Sequence, residues 1–181
     1  MLYIWVVGGG RGIGRSIADS HCANQDSVIV THRGKRELGG DLKPNALPFR
    51  LLSGDVQNLE VAKEQLEYVF CDGCPNTIYF CHHSPFGEDK APTMSWKVFE
   101  EQFKGVMKPL INIVSLLLGR NESLQHLSIV CLSSITTRQL SVTQDLWARS
   151  VAKGAMETFI LNSSLVLAER GARINGLLVD W

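Results

Sequence analysis

The chain has 181 residues, 45% of them hydrophobic and 20% charged, with 18 basic and 18 acidic side chains. That length supports one well-buried core and is too short for two. A formal charge of zero, with no basic run longer than two residues, excludes capture of nucleic acid or of an anionic membrane by net charge, and no nucleic-acid-binding module is readable. The first element, "LYIWVV", is a short apolar strand that runs straight into glycines and lacks a basic flank, so it does not read as a secretory signal. A Gly-rich turn and a helix over 12–23 follow it. "SVIVTHR" predicts a second strand and "LPFRLLSGD" a third, separated by the turn-rich loop "RGKRELGGDLKPNALP".

"LEVAKEQLEYVF" carries Leu59, Ala62, Leu66 and Val69 or Phe70 at helical spacing, and "TIYFCHH" predicts a fourth strand. A long helix over about 95–118, a fifth strand "LSIVCLSS", a helix over about 145–169 and a sixth strand "ARINGLLVDW" complete the chain. The apolar run "LINIVSLLLG" from Leu110 is about half a membrane span. Short apolar strands alternating with helices predict an α/β fold, a doubly wound parallel sheet in a single domain over 1–181. The five cysteines, at 22, 71, 74, 81 and 131, are an odd set without an export signal, so the expected compartment is the cytoplasm and the expected state is reduced. Cys71 and Cys74 form one CxxC; zinc would need a second ligand pair, so no metal is expected, and the CxxC reads as a connecting turn.

Gly8, Gly12 and Gly14 follow a strand and open a helix. Backbone N–H groups at such a helix start favour an anion, and glycine lets a pyrophosphate approach the backbone. The acid that would hold an adenosine ribose at the end of the second strand is missing; that strand ends Thr31-His32-Arg33, and Arg11 lies in the glycine turn. Two guanidinium groups suit a 2′-phosphate, which predicts NADP, with NAD, or no retained cofactor, as the alternatives.

The spacing Gly8-x-x-x-Gly12-Ile13-Gly14 resembles the short-chain dehydrogenase/reductase family, and the likeness extends along the chain. It implies a Rossmann-type fold, with Ile13 in the cofactor turn. "SGDVQN" resembles the family's Asp–Val pair, which implies that Asp55 and Val56 lie beside the adenine. "LSIVCLSS" puts Ser134 at the catalytic serine, and "VAKGAMETF" matches Lys153 to the catalytic and ribose-binding lysine. The departures are as informative. Arg149 stands where the family has its tyrosine, four residues before the lysine. Gln102 replaces an asparagine, and Cys81-His82-His83-Ser84 replaces Asn-Asn-Ala-Gly. Val179-Asp180 replaces Pro-Gly, and the family's substrate-covering segment and seventh strand have no counterpart.

Carbonyl reduction needs a proton donor beside the hydride donor. Arg149 does not release a proton at neutral pH, and the three tyrosines, Tyr3, Tyr68 and Tyr79, fall on other elements. What remains is an oxyanion clamp from Arg149 and a hydrogen bond from Ser134. His82 and His83, at a strand's carboxyl end, are possible acid–base groups. The expected function is therefore NADP(H) binding without ordinary carbonyl reduction. The first reading is an isomerase, dehydratase or cyclase built on Ser134, Arg149, Lys153, Gln102 and a histidine of the 82–83 pair, acting on a small molecule. The alternatives are a non-catalytic partner subunit of a related reductase, and a reductase with an atypical proton donor. The two long helices are apolar over more than one face, which predicts a homodimer or tetramer.

Overall fold

The computed structural model describes residues 1–34, 47–82, 95–138 and 147–179. In chain order these form β1 (Tyr3–Val7), α1 (Gly12–Ala23), β2 (Ser27–His32), β3 (Arg50–Ser53), α2 (Leu59–Phe70), β4 (Thr77–Phe80), α3 (Trp96–Gly119), β5 (Ser128–Ser134), a 3-10 turn (Ile135–Thr137), α4 (Trp147–Glu169) and β6 (Arg173–Val179). The strands lie in one six-stranded sheet, order β3-β2-β1-β4-β5-β6, and all five pairings are parallel. This is the doubly wound α/β arrangement that the alternating pattern predicts.

Successive residues of a strand face opposite sides, so a covered sheet needs apolar side chains in unbroken runs. In β1, Ile4 and Val6 pack with Ala18 of α1, while Trp5 and Val7 join the larger core with α2, α3 and α4. β3 is shorter than the predicted run 47–55, because it is an edge strand that pairs with β2 alone and leaves Arg50 and Ser53 exposed. β4 stops at Phe80; Cys81 adds one further bond through its N–H to Val7 O at 2.8 Å, and His82 lies beyond the ladder.

The CxxC is a connecting turn, as its sequence predicts. Cys71 caps α2, Gly73 takes φ +106°, and Asn76 leads into β4 with its side-chain oxygen accepting from Tyr3 N at 2.7 Å. All five cysteines are free. Asn58 starts α2 by accepting from Glu60 N at 2.9 Å, and Ser95 starts α3 by accepting from Val98 N at 3.3 Å. Among the described residues, no helix is long and apolar enough to cross a membrane, and no group of three His, Cys, Asp or Glu side chains is placed to hold a metal ion.

Candidate functional site

The chain crosses from β3 at one edge to β4 in the middle, so the strand order reverses between β1 and β4. Ligands of open α/β sheets lie outside the carboxyl ends of strands at such a switch point. The glycine turn sits there. Gly8 takes φ +85°, and a Cβ on it would lie 3.1 Å from His82 N and 3.2 Å from the carbonyl carbon of Cys81. Its N–H and that of Gly9 both donate to Thr31 O, at 3.0 and 3.1 Å, which ties the turn to the end of β2. A Cβ on Gly14 would lie 2.7 Å from Gly8 O, so this glycine lets α1 begin directly against the turn. Gly12 takes φ +57° with nothing within 4 Å of a Cβ: the turn is crowded from below and open above.

Arg11 caps α1 with extended backbone and no side-chain hydrogen bond, and the helix has no acidic residue in its first turn. The positive end of the helix dipole is therefore not neutralised by the helix's own side chains. Arg11 is exposed, Ile13 half-buried, and Arg33, one residue past β2, half-exposed. Gly9 belongs to the cradle too, although the family spacing passes over it. A Cβ there would lie 2.8 Å from Val6 Cγ1 and 2.9 Å from Val30 Cγ1. The run of consecutive glycines from Gly8 was the available signal.

At the end of β3, Asp55 accepts from Gln57 N at 3.0 Å and from Gln57 Nε2 at 3.2 Å, and Val56 is buried in the larger core. Asn112 of α3 holds this turn by donating to Val56 O at 2.9 Å and Gln57 O at 3.1 Å. Sequence reasoning missed Asn112. Its signal was a lone amide inside the apolar run "LINIV".

Ser134, Arg149 and Lys153, which the family resemblance matches to catalytic positions, turn inward. Ser134 is 0% exposed, and its Oγ accepts from Thr136 Oγ1 at 3.0 Å and Thr136 N at 3.4 Å, capping the 3-10 turn. Arg149 is 6% exposed in the first turn of α4, and burial lowers its guanidinium pKa from its ordinary value. Lys153 is 3% exposed and donates to Leu132 O at 2.5 Å and His82 O at 3.3 Å, so its amine bridges the ends of β5 and β4. Burial first, and the like charge of Arg149 second, bring that amine down to about 8. The nearby Cys81 and Cys131 thiols are pushed up to about 12 by burial. His82 is buried against Gly8 and links the cradle to Lys153. Gln102 is buried in α3, and His83 lies outside the described residues.

Glu157, one helical turn after Lys153, is a polar hub that the sequence reading did not single out. Its Oε1 accepts from Ser133 Oγ at 2.6 Å and Thr137 Oγ1 at 2.7 Å, and its Oε2 accepts from Arg138 Nη2 at 3.0 Å. The available signal was its i+4 spacing from Lys153, which places both on one helix face. The Ser133 and Thr137 hydroxyls are thus held to α4, and Thr137 Oγ1 also donates to Ser134 O at 2.9 Å.

No protein-family model and no curated protein matches the chain. Solved structures do. A short-chain dehydrogenase/reductase from Vibrio parahaemolyticus superposes with TM-score 0.79 at 18% identity, over 98% of this chain and 84% of that one. A short-chain dehydrogenase from Streptomyces avermitilis gives 0.78 at 23% identity, over 99% of this chain and 65% of that one. Serine dehydrogenase from Escherichia coli gives 0.76 at 18% identity, over 98% and 82%. The chain therefore spans just under two thirds of the Streptomyces protein's length. It has the fold of the short-chain dehydrogenases/reductases over nearly all its own length.

Proposed function

We propose that this chain, on a short-chain dehydrogenase/reductase fold, is a dinucleotide-binding protein that prefers NADP(H) over NAD(H) and does not reduce carbonyls in the manner of its structural neighbours. The observation that carries the proposal is the contrast within one crevice. The glycine turn at α1 is open above Gly12, while Ser134, Arg149 and Lys153 are all buried. Gly8, Gly9, Gly12 and Gly14 fit a pyrophosphate against the backbone, and Ile13, Asp55 and Val56 fit the rest of the nucleotide. Arg11 and Arg33 fit a 2′-phosphate, because guanidinium groups offer paired donors to phosphate oxygens. A bound NADPH supplies a hydride.

The chain's own residues would have to supply the proton, and no tyrosine takes that part. Tyr3 donates to Val69 O at 2.6 Å, Tyr68 lies on α2, and Tyr79 bonds to His21. The reading of a non-catalytic partner subunit, in the cytoplasm, fits this inward arrangement best. An isomerase, dehydratase or cyclase would need Arg149 to reach a substrate, and its burial argues against that role. Exposed Phe103 and Ile111 on α3, and Val151, Leu161 and Leu165 on α4, support assembly through these two helices. Light scattering at micromolar protein should give a dimer or tetramer, and a sharp monomer counts against it.

Calorimetric titration tests the cofactor. NADP should bind more than about tenfold more tightly than NAD. Equal affinities would remove the role of Arg11 and Arg33, and binding of neither would make the cradle a relic. Deuterated NADPH offered with ketones, enones and imines should leave no label in any product. Transfer at an ordinary rate, on the order of one per second, would restore the reductase reading, with His82 and His83 the first residues to substitute.

A further inference from the structure

Thr31, near the end of β2, is fully buried, and its hydroxyl is the middle of a chain of three buried side chains. Trp5 Nε1 of β1 donates to Thr31 Oγ1 at 2.9 Å, and Thr31 Oγ1 donates to Gln65 Oε1 of α2 at 2.7 Å. An indole N–H can only donate, and a hydroxyl has one proton to give, so the chain runs in one direction. Indole, hydroxyl and amide keep one protonation state across the working pH range. Gln65 Nε2 has no hydrogen-bond partner among the described residues and lies beside Gly54, where a Cβ would be 3.2 Å from it.

The backbone of the same residue carries the glycine turn. Thr31 pairs with Val7, the last residue of β1, and Thr31 O accepts from both Gly8 N and Gly9 N. Gly54 N, next to Asp55, donates to the following carbonyl, His32 O, at 2.9 Å. The two segments that flank the crevice, the glycine turn and Gly54–Asp55, thus both rest on the end of β2. Without the hydroxyl, the Trp5 N–H and the whole Gln65 amide would be buried and unpaired, which costs more than the bonds themselves contribute. Relief requires the ends of β1 and β2, or α2, to shift, and the glycine turn is seated on those ends. We propose that Thr31 is a positioning residue for the dinucleotide: its hydroxyl, held between Trp5 and Gln65, fixes the carbonyl on which Gly8 and Gly9 rest, and with it the seat of the pyrophosphate. This inference rests on the dinucleotide reading above.

The test compares Thr31→Val, which keeps the branched shape without the hydroxyl, with Thr31→Ser, which keeps the hydroxyl. NADP is titrated calorimetrically into the full chain at a temperature where each variant is folded, and the Gly8 and Gly9 amide resonances are recorded without nucleotide. Thr31→Val should bind NADP about tenfold more weakly, the effect of about one lost hydrogen bond to the ligand, and should move both glycine resonances. Thr31→Ser should bind within about twofold of the wild type and leave both resonances near their original positions. A purely structural threonine would lower stability in Thr31→Val and leave the affinity of the folded protein unchanged. Gln65→Met, which removes only the bond to Thr31, is the second variant should Thr31→Val fail to fold, and it should weaken binding about threefold. Unchanged affinity in the folded variant, loss in Thr31→Ser as large as in Thr31→Val, or weaker binding with unmoved glycine resonances would overturn the assignment of Thr31 alone. A wild type that binds neither NADP nor NAD would overturn the dinucleotide reading and this role with it.

Discussion

The glycine turn between β1 and α1 and the polar cluster between β5 and α4 lie at the same end of one sheet, yet they dispose of their polar groups in opposite ways. At the turn, the start of α1 carries no acidic residue and no side-chain cap, and a Cβ on Gly12 would meet nothing within 4 Å. At β5–α4, side chains bond to the protein itself: Ser134 to Thr136, Lys153 to two carbonyls, and Ser133 and Thr137 to Glu157. The first region fits the proposed approach of a pyrophosphate to the backbone. The second uses residues of a catalytic type as internal ties. The proposed function needs this separation: binding would rest on the backbone of the glycine turn, and the side chains at β5–α4 would act as internal ties.

Four substitutions would break or sharpen that contrast. The largest effect belongs to Gly8→Ala. It adds about 1–2 kcal/mol for a left-handed backbone and about 1–3 for a methyl pressed on the β4 backbone, so thermal or urea unfolding should show a loss of about 4 kcal/mol. Next, Glu157→Ala removes two hydroxyl–carboxylate bonds at about 1.5 kcal/mol each, a loss of about 3 kcal/mol, while nucleotide affinity stays unchanged. A fall in affinity would mean that the cluster belongs to the binding site after all.

The third is a pH effect. Lys153 has a folded pKa of about 8, below the unfolded value of about 10.4. Between those values the unfolded chain binds more protons, so this lysine's contribution to stability rises with pH. The stability of the wild type relative to Lys153→Met should rise by about 2 kcal/mol from pH 8 to about 10.4, measured by denaturant unfolding of both at each pH. A flat difference would mean that the amine is not desolvated. The smallest effect is Gly12→Ala, where the cost is backbone alone, about 1 kcal/mol, because a Cβ there meets nothing. Nucleotide binding should weaken far more than stability does, since the methyl would project into the space above the turn.

The layered sheet was legible because its cause is local. Runs such as "IWVV" in β1 and "VIV" in β2 are apolar at every position, which a sheet covered on both faces requires. The strand–glycine–helix turn was legible for the same reason, since glycine's freedom at Gly8 and Gly12 is a property of single residues. Asn112 and Glu157 were not legible, because their partners are 56 and 24 residues away at Val56 and Ser133. A lone amide or carboxylate in a helix reads alike whether it faces water or a buried carbonyl.

The same limit applied to Ser134, Arg149 and Lys153. The family resemblance implied which positions they hold, but a resemblance in sequence carries no information on which way a side chain points. Sequence alone determined the fold class, the cradle and the absence of a tyrosine four residues before Lys153, because periodicity, glycine conformation and residue chemistry are written position by position. Tertiary structure alone decided that Lys153 bridges two strand ends and that Ser134 caps a turn. Burial and hydrogen-bond partners exist only once α4 packs on β5.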